Sequence, residues 1–188
     1  MLIIDNYDSF TYNIVQYVEI LGEKPIVIKN DELSLDEIKL LNFSKIILSP
    51  GWGNPENSGV TMDVIDYYKD KLPILGVCLG MQCIAKYFGS EIVKAPEPFH
   101  GKNSEIFFTP NFELFKGFKQ GFCATRYHSL VIKPISDTVC ITAWTQDKIP
   151  MALKIKNRKI FGVQFHPEAI LTENGIKIFK NFIELSSK

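Results

Sequence analysis

The first half of the chain alternates short apolar runs with amphipathic stretches, and nothing else in the sequence constrains the fold as tightly. Residues 2–4 lead into Asp5-Asn6-Tyr7-Asp8-Ser9, after which Phe10, Ile14, Tyr17, Val18 and Leu21 recur at helical spacing and Gly22 supplies a stop. Residues 25–29 and 45–49 read as a second and a third strand; between them Ser34, with Glu37 three positions on, forms a capping box that opens a short helix through Leu41. A turn-rich loop from Pro50 to Gly59 precedes a helix over 60–71, and residues 74–77 form a fourth strand that runs into Cys78 and a helix stopping at Gly89. Strands that are apolar on both faces and separated by helices require a parallel sheet covered on both sides.

From Glu91 onward the pattern changes. Strand signals dominate over 92–94, 104–108, 125–132, 139–144, 151–155 and 160–165, with one helical turn near 112–115. Residues 172–185 close as an amphipathic helix with Ile176, Phe179, Phe182 and Ile183 inward. The expected fold is therefore α/β: a largely parallel central sheet flanked by helices, with antiparallel additions in the second half and a last strand rejoining the main sheet. No linker, repeat or low-complexity segment interrupts residues 1–188, which predicts a single domain. A chain of 188 residues can bury about 70% of the surface its extended form exposes, enough for a core without staples.

The 21 Lys and Arg balance 21 Asp and Glu, and no basic block occurs, which argues against nucleic acid or an anionic membrane as the main partner. The longest apolar stretches are strand-sized and Met1 leads directly into Leu-Ile-Ile, so a cytoplasmic location is expected. The four cysteines (Cys78, Cys83, Cys123 and Cys140) should then stay reduced. Their spacings, and the scattered His100, His128 and His166, do not suit zinc, and no metal site is expected. Each cysteine is buried packing or a reactive thiol.

Gly76-Val77-Cys78-Leu79-Gly80 has the layout of a nucleophile elbow, where a sharp strand-to-helix turn presents a nucleophile and flanking glycines keep side chains clear. A thiol at a helix N-terminus sits among unpaired N–H groups that favour its anion. The N–H of Leu79 would then point at a developing oxyanion. Taken alone, the segment is equally compatible with a core cysteine whose glycines merely permit a tight turn. A thiol nucleophile needs a base and the base an orienter, and His166-Pro167-Glu168 supplies both at the end of the last strand. Residues i and i+2 of an extended segment point the same way, so Glu168 can hold the His166 imidazole. In Ser49-Pro50-Gly51-Trp52-Gly53, a backbone N–H of Gly51, Trp52 or Gly53 is the natural second oxyanion donor. Gln82 lies one helical turn beyond Cys78 on the same face. Carboxyl ends of parallel strands are where open α/β sheets place their sites.

These segments, with the Asp5-Asn6-Tyr7-Asp8-Ser9-Phe10 opening, His100-Gly101-Lys102, Arg126-Tyr127-His128-Ser129-Leu130 and Gly162-Val163-Gln164-Phe165-His166-Pro167-Glu168, resemble the class I glutamine amidotransferases end to end. The resemblance is to the glutaminase subunits, component II, of anthranilate synthase and aminodeoxychorismate synthase. It implies a flavodoxin-like amidotransferase domain in which Cys78, His166 and Glu168 form the catalytic triad. It further implies an oxyanion hole at Gly51 and Leu79, and a glutamine site built from Gly51, Trp52, Gly53, Gln82 and backbone groups of Ser129 and Leu130. The ammonia would pass to a larger chorismate-using subunit, giving anthranilate for tryptophan or 4-amino-4-deoxychorismate for folate. No cofactor is implied for this chain, since Mg2+ belongs to that partner. The chain departs from the family pattern at Trp52, where proline is usual, and at Met81, where histidine is usual. Two other readings use the same residues: a catalytically weak docking subunit of the synthase, and a stand-alone γ-glutamyl hydrolase.

Overall fold

The computed structural model describes residues 1–185. Strands β1 (Leu2–Asn6), β2 (Ile26–Lys29), β3 (Ile46–Gly51), β4 (Ile74–Val77) and β9 (Ile160–Val163) pair in parallel in the order β2-β1-β3-β4-β9. Four further strands continue the sheet antiparallel from β9: β8 (Pro150–Ile155), β7 (Val139–Trp144), β5 (Glu91–Phe108) and β6 (Phe122–Lys133). Helices α1 (Thr11–Ile20), α2 (Leu35–Ile38), α3 (Thr61–Tyr68), α4 (Leu79–Tyr87) and α5 (Ile176–Glu184) cover the two faces. Among the described residues no helix is long and apolar enough to cross a membrane.

Successive side chains of a strand point to opposite faces, so the continuous apolar strands feed two separate cores. Ile3, Ile47, Leu75, Phe161 and Val163 pack with Ile14 and Val18 of α1 and with Ile178, Phe179 and Phe182 of α5. Leu2, Ile4, Ile46, Leu48, Ile74 and Ile160 pack on the other face with Ile38 of α2, Val64 and Ile65 of α3, and Met81 and Ile84 of α4. The expected parallel sheet covered on both sides is therefore present, and β2, at its edge, is the strand of the parallel set with the least burial.

Several boundaries differ from the pattern-based reading. The two short strands expected at 92–94 and 104–108 are the ends of one 18-residue strand, β5, which crosses Pro96 and Pro98 by shifting register against β6. The closing helix starts at Ile176 rather than at 172. Thr172 is spent on a loop instead: its hydroxyl donates to the His166 carbonyl at 2.7 Å and accepts from the Thr125 N–H at 3.0 Å. Helix α3 ends at Tyr68, where Lys71 and Leu72 turn back to its carbonyl.

Candidate active site

The carboxyl ends of β1, β3, β4 and β9 converge with a stretch of β6 around a cavity of ≈ 240 Å³. Nine residues singled out from the sequence line it together: Gly51, Trp52, Gly53, Cys78, Leu79, Gln82, Ser129, Leu130 and His166. Glu168 lies behind them, hydrogen-bonded to His166.

Cys78 caps the N-terminus of α4 with φ 50° and ψ −103°. A non-glycine residue there stores on the order of 1–3 kcal/mol of strain and persists only where its surroundings over-determine it. The surroundings do so: the Cys78 N–H donates to the Val163 carbonyl at 2.8 Å, and its carbonyl accepts the first α4 hydrogen bond from Gln82 at 3.1 Å. The N–H groups of the first helical turn, beginning at Leu79, lie outside that ladder and face the cavity end of the helix. The flanking glycines make the turn possible by close approach. A Cβ on Gly76 would lie 2.4 Å from the carbonyl carbon of Gly80, and one on Gly80 would lie 2.3 Å from the carbonyl oxygen of Leu48. Gly80→Ala is accordingly expected to lose about 3 kcal/mol by overpacking against backbone, seen as a fall of about 10 °C in Tm for a domain of this size. A variant that melts with the wild type would show that α4 and β3 can part freely.

His166 and Glu168 form a pair with side chains only 2% and 0% exposed, Nδ1 to Oε1 2.6 Å. Burial alone disfavours the charged imidazolium, but the Glu168 carboxylate and the Cys78 sulfur outweigh it and hold the His166 pKa well above the usual histidine value. The short contact places a proton on Nδ1 and directs Nε2, which has no hydrogen-bond partner among the described residues, to the nucleophile side. Phe10 and Tyr127 pack edge-on against the ring, with centroids at 5.8 and 5.2 Å, and fix its plane. The geometry that brings Glu168 to His166 is not the extended one expected. The Ala169 N–H returns to the His166 carbonyl at 3.2 Å, closing a turn in which Pro167 takes the second position that its fixed φ suits.

The loop after β3 is anchored through Asn6. Its N–H donates to Ser49 Oγ at 2.8 Å, its side-chain amide donates to the Ser49 carbonyl at 3.0 Å, and its Oδ1 accepts from Asn30 and Thr61. The ends of β1, β2 and β3 and the start of α3 are thus tied beneath Gly51. Trp52 stands 82% exposed at the rim of the cavity. Gln82 donates from Nε2 to the Leu130 carbonyl at 3.3 Å and to Gln164 Oε1 at 3.1 Å. The Leu130 carbonyl also receives His128 Nδ1 at 3.0 Å, so it is committed within the protein and is not free for a ligand. Met81 is fully buried and does not line the cavity; a Cβ on Gly162 would meet its side chain at 2.7 Å, which makes position 81 a packing position between α4 and β9.

Asp8, Ser9, Phe10, His100, Tyr127 and His128 also line the cavity, although spacing alone had not singled them out as site residues. Burial, reinforced by the nearby Arg126 guanidinium, lowers His128 to about 4, so it is neutral near pH 7. All four cysteines are free. Cys83 is packing as expected, and burial pushes its thiol up to about 12. Cys140 is exposed and Cys123 half-buried, so the packing role expected for those two is corrected: neither belongs to either core cluster. Among the described residues no cluster of His, Cys, Asp and Glu could hold a metal ion.

Residues 2–185 match the family described as glutamine amidotransferase class-I. An anthranilate synthase component 2 of Cyanophora paradoxa is 50% identical over 186 residues, covering 97% of this chain and 97% of the relative. An aminodeoxychorismate/anthranilate synthase component 2 of Bacillus subtilis is 44% identical over 190 residues, covering 100% of this chain and 97% of the relative. A solved structure from Thermoplasma acidophilum, described as a GMP synthase subunit, superposes with a TM-score of 0.85 at 28% identity, over 97% of this chain and 90% of that one. The α/β architecture is flavodoxin-like, with the cavity at the carboxyl edge where that architecture places ligands. Similarity that runs the length of the chain, on a fold that superposes throughout, makes this protein a member of the class I glutamine amidotransferases.

Proposed function

We propose that this chain is the glutaminase subunit of a chorismate-using synthase, hydrolysing L-glutamine at Cys78 and handing the ammonia to a larger partner subunit. The observation that carries the reading is a thiol held at a strained strand-to-helix turn, in one cavity with a histidine whose ring is locked by a buried carboxylate. Sγ of Cys78 attacks the side-chain amide carbon of glutamine, and the oxyanion that forms is met by the Leu79 N–H and by a backbone N–H of the Gly51–Gly53 loop. His166, oriented by Glu168, takes the thiol proton on Nε2 as the attack proceeds and gives it to the departing nitrogen. Ammonia leaves, a glutamyl thioester remains on Cys78, and the now neutral His166 takes a proton from water as that water attacks the thioester. Glutamate is released and the thiol regenerated. Gln82 through its Oε1, and the backbone of Ser129 and Leu130 other than the committed Leu130 carbonyl, hold the amino-acid end of the substrate, and Trp52 shapes the rim toward the partner.

Each step uses side chains, backbone and water of this chain, so we assign no cofactor to it and place Mg2+ on the partner. The names of the relatives support a partner synthase, and the Bacillus subtilis name covers both aminodeoxychorismate and anthranilate synthesis. A cytoplasmic site of action suits a reaction that needs a free thiol at Cys78. The test is to mix the purified chain with each candidate large subunit, supply glutamine and chorismate, and follow fluorescent anthranilate and aminodeoxychorismate. At least one mixture should show glutamine-dependent synthesis, with glutamine turnover at least about tenfold above that of the chain alone. In the resting site the thiol donates to the Tyr127 carbonyl at 3.8 Å, so its proton is not yet directed to the base. Glutamine turnover in neither mixture would sink the reading.

A further inference from the structure

We propose that Gln164 is a further catalytic residue of this site, whose side-chain amide donates an N–H···S hydrogen bond to Cys78 and stabilises the attacking thiolate. The inference rests on the glutaminase reading above and names a group that reading does not use. Gln164 follows β9 directly and is fully buried, its backbone N–H tied to the Met151 carbonyl at 2.9 Å. Nε2 of its side chain lies 3.6 Å from Cys78 Sγ.

The direction of that amide is set by a chain of partners whose donor and acceptor roles leave no choice. Arg126 Nε can only donate, and it does so to His128 Nε2 at 3.0 Å. His128 must therefore carry its proton on Nδ1, which donates to the Leu130 carbonyl at 3.0 Å. That carbonyl can only accept, so the Gln82 contact at 3.3 Å must come from the Gln82 NH₂ group. The same NH₂ group donates to Gln164 Oε1 at 3.1 Å. With its oxygen taken, Gln164 must turn its own NH₂ group to the sulfur. Arg126 at the head of the chain is buried and stacked on Phe99, its guanidinium carbon 3.3 Å from the ring centroid.

A thiol is a weak acceptor, whereas a thiolate accepts a charge-assisted bond of about twice the strength. The Gln164 contact therefore strengthens when the proton leaves, and it opposes the Tyr127 carbonyl, which favours the thiol form. The other charged or titratable groups around the sulfur are His166 and Glu168 after β9, Arg126, Tyr127 and His128 on β6, Cys83 on α4, and Asp8 and His100 at the cavity rim. None of the rest donates an uncharged N–H to the sulfur among the hydrogen bonds of the described residues.

The readout is the rate at which iodoacetamide alkylates Cys78, followed by mass spectrometry of the Cys78 peptide against pH, with no glutamine and no partner. Peptide mapping separates Cys78 from the exposed Cys140. Gln164→Met, which keeps the volume and removes the donor, should slow alkylation near neutral pH about tenfold and move its midpoint up by about one pH unit. In the complex it should lower kcat for glutamine about tenfold or more and leave KM within about twofold. Gln164→Glu keeps an acceptor for Gln82 and places an oxygen against the sulfur, so it should move the midpoint at least as far; it serves if the Met variant does not fold. A folded variant of either kind with the wild-type midpoint overturns the proposal. Wild-type Cys78 that resists alkylation from about pH 5 to about pH 10 would sink the glutaminase reading itself, and this inference with it.

Discussion

Cys78→Ser in the assembled synthase should abolish glutamine-dependent product formation, by about a thousandfold or more, while synthesis from free ammonium stays within about twofold of wild type. Loss of the nucleophile from a triad costs up to about a millionfold in kcat. A serine hydroxyl in the same place is a far weaker nucleophile than a thiolate, and the His166–Glu168 pair faces a sulfur and not an oxygen. The substitution exchanges one small side chain for another at a turn held by backbone, through Val163 and Gln82, so folding and docking should persist. Ammonium-driven synthesis reports on the partner alone and serves as the internal control. Full glutamine-dependent activity in the serine variant would remove Cys78 from the mechanism. A chain that still activates its partner after losing Cys78, with no hydrolysis in the wild type either, would favour the docking-subunit reading.

Glu168→Gln should lower glutamine turnover by about three to four orders of magnitude, the loss seen when the acidic member of a triad becomes an amide. The glutamine side chain can still meet Nδ1, but it can present an NH₂ group to the ring and stabilise the wrong tautomer. It also removes the carboxylate that counters burial. In the wild type His166 is raised above its unfolded value, so it adds stability that is fully present below about pH 6.5 and fades as the pH rises through the folded pKa. In the variant burial is left as the main influence, the folded pKa falls below the unfolded one, and charging the buried ring costs stability as the pH drops. The gap in unfolding free energy between the two proteins should therefore widen as the pH is lowered from about 9 to about 6. A gap that stays constant over that range would mean that Glu168 does not hold the charge of His166.

Much of this was legible before any coordinates. The apolar runs of β1, β3 and β4 could only be interior strands, and the glycines around Cys78 could only serve a tight turn, because both follow from local sterics and burial. Pairing of His166 with Glu168 was also legible, though by the wrong geometry: a proline-led turn brings them together, and Ala169 had to fold back for it to form. The start of α5 was placed four residues early, because what draws Thr172 into a loop is Thr125, 47 residues away in sequence. Gln164 was invisible for the same kind of reason. In Val163-Gln164-Phe165 it reads as one polar residue in a strand, and its partner Cys78 lies 86 residues away. Contacts of that span exist only after β4 and β9 have paired, and no local pattern encodes them.

The bond from the Cys78 N–H to the Val163 carbonyl ties the proposed nucleophile to the end of β9, and three residues on the N–H of the proposed base, His166, is held by the Thr125 carbonyl of β6. Their spacing is then a property of the sheet, as stiff as interstrand hydrogen bonding allows, and a docked subunit has little leverage over it. The segments that line the cavity outside those backbone ties are the approach to α1 at Asp8, Ser9 and Phe10, the Trp52 loop and the Tyr127–Leu130 stretch of β6. Control of turnover from outside should therefore work as a clutch and not as a throttle on the triad, by engaging or releasing the groups that grip substrate while the cutting edge stays fixed.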